Sequence, residues 1–458
     1  MVRSTLVRPL VAAATVLLAG GLACNPNLPT TPTGIGKEPV TLTPAGGTLI
    51  THVHTPEVGN VVVRARLPEE PRYPEGAPVV VDIAGFFVPS VGFHQSLDAT
   101  QIGAIHVDYL WPGKDDPRTG VRSDGEYDHG GPDCLAALRD VIRFAAGLAL
   151  DVDGHTIEEL LAVTPLTDNI GLYAFSHPGI AATNVLAHHG GDMPTIQYLI
   201  GRENPTIDEM YPLELGYYTD DCVPVFNPYY HPEDYTPTTI HIDYSTVGWL
   251  QNDQYPEGRP FFAVPDGPDH VLSYKHPTMW GKRYYSRPLT QALLDNGALS
   301  LENWPDDLAT PEETQVTWPY RTTVHNYPFL ATSAPQLKVM LVFATDDHVQ
   351  AAPDKPHIRQ AYDGFRKTAG LWVRMNPDFA YVQAMTDVAE GDKRFPDNPA
   401  NTEPNDWMNA RAWGYGGAGG SPLVTRMVPL AAIAEMADRV RADEWSANLD
   451  EVLFEVAR

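Results

Sequence analysis

The sequence predicts an α/β protein: a mostly parallel sheet interleaved with helices and broken by one large insertion. Three observations predict it. β-Branched runs alternate with stretches of helical period, the pattern of strand–helix–strand crossovers. The 458 residues, 43% hydrophobic and 19% charged, suffice for a large core, which extra length can decorate as an insertion rather than as further domains. From Pro205 to Pro335 the alternation stops, and that stretch holds nearly half of the aromatic residues amid many prolines.

The composition, with 43 Pro and 37 Gly, excludes a disordered tail, a collagen-like fibre and a multi-pass membrane protein. A formal charge of −27, with no Lys/Arg-rich run, would repel a phosphate backbone, so no nucleic-acid partner is expected. Three cysteines, Cys24, Cys134 and Cys222, are too few for a disulfide scaffold. They also lack the C-x-x-C spacing of a structural zinc site.

At the start, Arg3 and Arg8 precede the apolar run VAAATVLLAG, and small residues lead to GLAC ending at Cys24. This is the order of a signal peptide over 1–23, and the apolar run is shorter than the ~20 residues that span a bilayer. Leu22-Ala23-Cys24 resembles a lipoprotein lipobox, with Gly21 where that pattern usually has Leu. The chain is therefore expected to be exported, either lipidated at Cys24 and held in the bacterial cell envelope or simply cleaved and secreted. Any membrane contact would run through that lipid alone. Residues 24–44, rich in Pro, Thr and Asn, read as a flexible tether. Export allows a disulfide between Cys134 and Cys222, the alternative being two buried free thiols.

Within the body, VVVRARL from Val61, PVVVDIAG from Pro78 and AIHVDYL from Ala104 read as early strands. Pro132 suits a first helical turn, and Leu135, Leu138, Ile142 and Ala145 recur at helical spacing. NIGLYAF, from Asn169, is a strand that runs into SHPG and then into the helix-compatible IAATNVLAHH. Thr195–Ile200, Leu337–Ala344 and Leu371–Met375 read as further strands, Pro356–Lys367 as a helix, and Leu423–Val440 as a helix kinked or restarted near Pro429. These divide the body into a core over 45–204 and 336–458 and a cap over 205–335. That cap is either an aromatic lid over a pocket or a second small core.

A strand running into Ser176 and then into a helix sets the hydroxyl on a tight turn at the carboxyl edge of the sheet, where helix-start amides can meet an oxyanion. AFSHPG resembles the nucleophile elbow of the α/β-hydrolase family, with Ala174 at its first small position and Ser176 as nucleophile. Pro178 stands where G-x-S-x-G has its second Gly, and Gly179 follows. ATDDHV resembles the acid-bearing turn of that family; by its register Asp347 is the triad acid, with Asp346 the neighbouring alternative. AGFF, from Ala84, matches the position of the oxyanion segment, so the N–H groups of Phe86 or Phe87 and of His177 become the donors. SDGEYDHGGPD is similar to exported hydrolases of the prolyl-oligopeptidase and acyl-esterase type. The resemblance implies the α/β-hydrolase fold, with helices on both faces of the sheet and the insertion before the penultimate strand, and a chemistry that needs no cofactor.

That family places its general base after the last strand, yet the last histidine in this chain is His357. Loops that follow parallel strands share one edge, so His94, His129, His177, His348 and His357 are the candidates, with His348, beside the acid, taken as the base. His231 or His276 could come from the insertion. His188-His189 and His52-x-His54 lack a third ligand, so no metal site is expected. The expected activity is cleavage of a carboxylic ester, small or polymeric, or less readily of a peptide, through an acyl-enzyme on Ser176. The alternative is a hydrolase-like surface protein that has lost its base and only binds.

Overall fold

The computed structural model describes residues 40–85, 92–93, 97–204, 206, 212–218, 224–263, 278–279, 282–342, 352, 354–378, 380–382, 384–385 and 422–445. Residues 41–458 form one compact unit, and of 1–40, the other, only Val40 is described. β1 (Thr48–Thr55), β2 (Gly59–Arg66), β3 (Ala77–Asp82), β4 (Ile105–Tyr109), β5 (Pro165–Phe175), β6 (Ile196–Arg202), β7 (Lys338–Val342) and β8 (Trp372–Met375) make one sheet in the order β1-β2-β4-β3-β5-β6-β7-β8. β1 and β2 are antiparallel, as are β2 and β4; every later pairing is parallel.

Every residue of β3 and β4 is buried, as expected for strands covered on both faces. The Val79–Val81 run of β3 follows from that double burial, while β4 buries His106 and Asp108 among its apolar residues. Val80, Tyr173, Ile200 and Met340 on one face pack with Ala431 and Ile433 of the helix α7 (Pro422–Ala442). Val79, Val81, Leu172 and Leu199, which alternate with them, are buried on the opposite face, where α1 (Pro132–Ala145) and α2 (Pro178–His189) pack. Arg72 and Tyr73 tie α7 down by donating to Asp438 at 2.7–2.8 Å. α7 stays helical through Pro429 rather than restarting there, its flanks held by this packing.

The strand pattern read from the sequence appears with shifts of a residue or a few at the ends. β1 is the exception, since nothing in TLITHVHT marked it as a strand. Only Val53 and two threonines are buried along it, so its conformation is decided by antiparallel pairing with β2 from Thr48↔Arg66 to Thr55↔Gly59. The expected helix from Pro356 appears as α6 (Pro356–Tyr362) followed by a π-helical turn, Asp363–Thr368.

Between β6 and β7 the chain forms small antiparallel pairs, among them Tyr230–Thr236 with Thr239–Ile242 and Val247–Leu250 with Arg259–Phe262. The helices α3 (Arg287–Asp295), α4 (Pro311–Thr317) and α5 (Tyr327–Ser333) follow. Leu213, Tyr230, Ile240, Phe262, Tyr285 and Leu289 form a core separate from that of the sheet. The aromatic residues thus serve at least as a second small core. α5 leads back to the sheet layer, where Ser333 Oγ donates to the Leu186 carbonyl at 2.8 Å.

Parallel packing of β5 on β6 brings Gly171 against Tyr198, so a Cβ at 171 would stand 1.9 Å from the ring. We expect Gly171→Ala to destabilise the fold by about 1–3 kcal/mol through overpacking, read as a lower urea midpoint at unchanged slope. An unchanged midpoint would show that the ring can move aside.

Candidate active site

β5 ends at Phe175 and α2 starts at Pro178, leaving two residues to reverse from strand to helix. Ser176 makes the reversal in the left-handed region, at φ 63°. Its N–H donates to the Arg202 carbonyl at the end of β6 (2.7 Å), and its own carbonyl accepts from the Gly179 N–H (2.9 Å). The serine is half-buried at the carboxyl edge of the sheet. His177 already has helical angles, φ −51° and ψ −35°, and Pro178 sits in the first turn of α2, where its missing N–H costs nothing. This is the sharp strand–turn–helix that AFSHPG led us to expect, with Pro178 accommodated as a helix start.

Ser176 is one of six non-glycine residues of positive φ among the described residues, and five of these lie in connections that follow parallel strands: His129, Ser176, Glu203, Lys355 and Asn376. Three come directly after a strand and bond to the end of a neighbouring one, Ser176 N–H to Arg202, Glu203 N–H to Val342 and Asn376 N–H to Leu341. Each such residue costs about 1–3 kcal/mol, and clusters of them mark functional edges. Glu203 and Asn204, both buried, follow Arg202 on this edge, and nothing in GREN had marked them. Beside the elbow, the Ile83 N–H donates to the Tyr173 carbonyl (2.9 Å), and Trp111 Nε1–H to that of Gly85 (2.8 Å). These contacts hold the start of the loop that leads to the expected oxyanion donors.

The DHGGPD stretch builds the next turn. Asp128 accepts from the N–H groups of Gly131, Asp133 and Cys134 at 2.7–3.3 Å and so caps α1, while His129 and Gly130 turn the chain at φ 59° and 83°. His129 is buried against the Tyr127 ring, centroids 4.6 Å apart, and its carbonyl accepts from Arg321 (3.3 Å). Burial, then the Arg321 and Lys114 charges, push its imidazole down to about 3. Burial likewise pulls the Arg321 guanidinium down to about 9.

Of the other candidates, His357 is buried in the first turn of α6. His231 lies in an insertion strand, with Nδ1 3.1 Å from Glu233 and its ring beside that of His241. Cys134 is a fully buried thiol in α1, and the partner considered for it, Cys222, lies outside the described residues. Burial, with Asp128 beside it, raises its pKa well above the usual range, which leaves it inert. Cys24, Phe86, Phe87, His94, Cys222, His276, Asp346, Asp347 and His348 lie outside the described residues. The insertion reaches the segment after β7, where Tyr230 and Tyr235 donate to Asp354 and Asp363, each at 2.7 Å.

Two predictions follow from these backbones and charges. Ser176→Gly should be about 1 kcal/mol more stable than Ser176→Ala, because only glycine adopts φ 63° without strain; equal urea midpoints would remove the strain. Below pH 6.5 the unfolded chain protonates His129 while the folded one does not until about 3, so this residue costs stability as pH falls through that window. His129→Asn, which tolerates the same φ, should therefore lose less stability than the parent between pH 7 and pH 4, and parallel profiles would contradict the shift.

No family model and no curated protein matches the chain. Among solved structures it is similar to an arylesterase (11% identity, TM-score 0.40, 88% of each chain covered) and to an esterase of Pyrobaculum calidifontis (11%, 0.39, 88% of each). It is also similar to Porphyromonas gingivalis dipeptidyl peptidase 4 (11%, 0.35), covering 72% of this chain and spanning only 31% of that one. The order of the eight strands and the left-handed serine between β5 and α2 together make this chain an α/β-hydrolase fold.

Proposed function

We propose that the protein is an exported serine hydrolase that cleaves carboxylic esters through an acyl-enzyme on Ser176. The observation that carries this is the strained, half-buried serine at the strand-to-helix turn on the carboxyl edge of the sheet. Ser176 Oγ attacks the ester carbonyl carbon and its proton passes to the imidazole of His348, which Asp347 orients. The tetrahedral oxyanion is met by the N–H groups of His177 and Phe86, and it collapses as the alkoxide leaves with the proton from the imidazolium. Water, deprotonated by the same base, then releases the acid. No step requires a cofactor. Export rests on the leader that ends at Cys24, whose lipidation would tether the body to a membrane.

The test is turnover of a short-chain nitrophenyl ester together with labelling by a fluorophosphonate. Ser176→Ala should lose about 10⁴-fold or more in kcat and all labelling while the unfolding curve stays cooperative. Ester turnover retained by that variant would overturn the nucleophile. The absence of any histidine after His357 favours one second reading, a binding protein on a hydrolase fold, which predicts that the parent chain is neither labelled nor active.

A further inference from the structure

Asn204 follows β6 by two residues, is buried, and lies against the elbow from the neighbouring strand. Its carboxamide has one orientation that satisfies it. With the nitrogen toward the elbow, Nδ2 stands 3.2 Å from the Ala174 carbonyl, 3.3 Å from that of Ser176 and 3.1 Å from that of Arg202. These are the carbonyls of the residue two before the serine, of the serine itself, and of the residue that accepts the serine N–H. The reverse orientation would face an oxygen to three oxygens in a site that excludes water, at a cost of about 1–3 kcal/mol for each unsatisfied group.

Two glycines make room for this side chain. A Cβ on Gly179, in the first turn of α2, would lie 2.1 Å from Asn204 Cγ; one on Gly201, in β6, would lie 2.1 Å from the terminal atom that is Oδ1 in this orientation. Neither glycine has a positive φ, so neither is required by its own backbone angles. Their absent side chains are the space that Asn204 fills. The displaced glycine of AFSHPG thereby gains a role, which is to admit a strut from β6 rather than to shape the turn itself.

We propose that Asn204 is a positioning residue, holding the Ser176 backbone in its left-handed conformation so that the hydroxyl and the following N–H groups stand in register for acyl transfer. This rests on the serine-hydrolase reading above for its effect on rate, but not for its effect on conformation. The cross-strand tie spans the end of β5, the turn and the end of β6, so its loss lets the turn relax toward commoner backbone angles.

Four variants test it: Asn204→Asp, of the same shape without the donors, Asn204→Ala, Gly179→Ala, and Gly179→Ala combined with Asn204→Ala. Asn204→Asp and Asn204→Ala should lower kcat on the nitrophenyl ester by about 10²-fold with KM changed less than about twofold, and slow fluorophosphonate labelling in proportion. Gly179→Ala alone should be unstable. Adding Asn204→Ala should restore its unfolding midpoint but leave kcat low, whereas a residue that merely fills space would restore both. Crystal structures of the parent and Asn204→Asp then give φ at Ser176, and retention of a φ near 63° with full kcat overturns the proposal. If the parent proves neither active nor labelled, the hydrolase reading fails by itself. Asn204 is then judged on φ alone, a relaxed Ser176 in the variant supporting the strut and an unchanged one refuting it.

Discussion

A serine held at φ 63° between a buried strand and a helix is the constraint on which the arrangement of this edge depends. Left alone, AFSHPG would extend the strand or start the helix one residue earlier, either of which avoids about 1–2 kcal/mol of left-handed strain. Surrounding structure removes both options. The Ser176 N–H and carbonyl are committed to Arg202 and Gly179, β5 is fixed in register against β6, and Pro178 forces the helix to start where it does. The strain is thus a local cost of a cooperative structure, and its product is a half-buried serine at the carboxyl edge of the sheet beside a helix start.

The same edge repeats the device at Glu203 and Asn376, each turning left-handed directly after its strand with its N–H bonded to the strand beside it. Parallel strands that end together leave carbonyls that only the next residue of a neighbour can reach, and a left-handed turn supplies that reach while steering the chain away from the sheet. The insertion is anchored above by tyrosine hydroxyls on Asp354 and Asp363, near the segment expected to bear the acid. Its helix α4 is followed by Trp318 and Arg321, and Arg321 stacks over Trp318 and contributes to keeping His129 uncharged. The insertion thus sets a charge beside His129 as well as burying apolar surface.

Most strands from β2 to β8 were legible from their apolar runs, and where burial on both faces leaves the run unbroken, as in VVVD or KVMLV, it can hardly be anything else. β1 was not, since a half-exposed edge strand of alternating polar residues has no such run and takes its form from its partner. In the insertion, nearly every hairpin is short and its aromatics scatter, so the sequence offers no period, although the core they make is real. At the site, Ser176 was legible from the strand, the turn and the helix that meet there. His129 looked like a candidate base from its place before α1, whereas its burial and the Arg321 charge that lower its pKa are set by the tertiary structure.

The sequence by itself determined the fold class and the turn that carries Ser176, because both are written in local patterns: runs of residues that must be buried, and a break between strand and helix too short for anything but a sharp turn. Tertiary structure alone decided that Gly179 and Gly201 leave room for one carboxamide, and that Asn204 reaches three carbonyls, on two strands and the turn between β5 and α2. It also decided that His129 is buried beside Arg321, which lowers its pKa. These depend on the register of β5 against β6 and on what the insertion covers, and a distance between residues far apart in the chain, or the dielectric around a side chain, has no representation in the order of its neighbours.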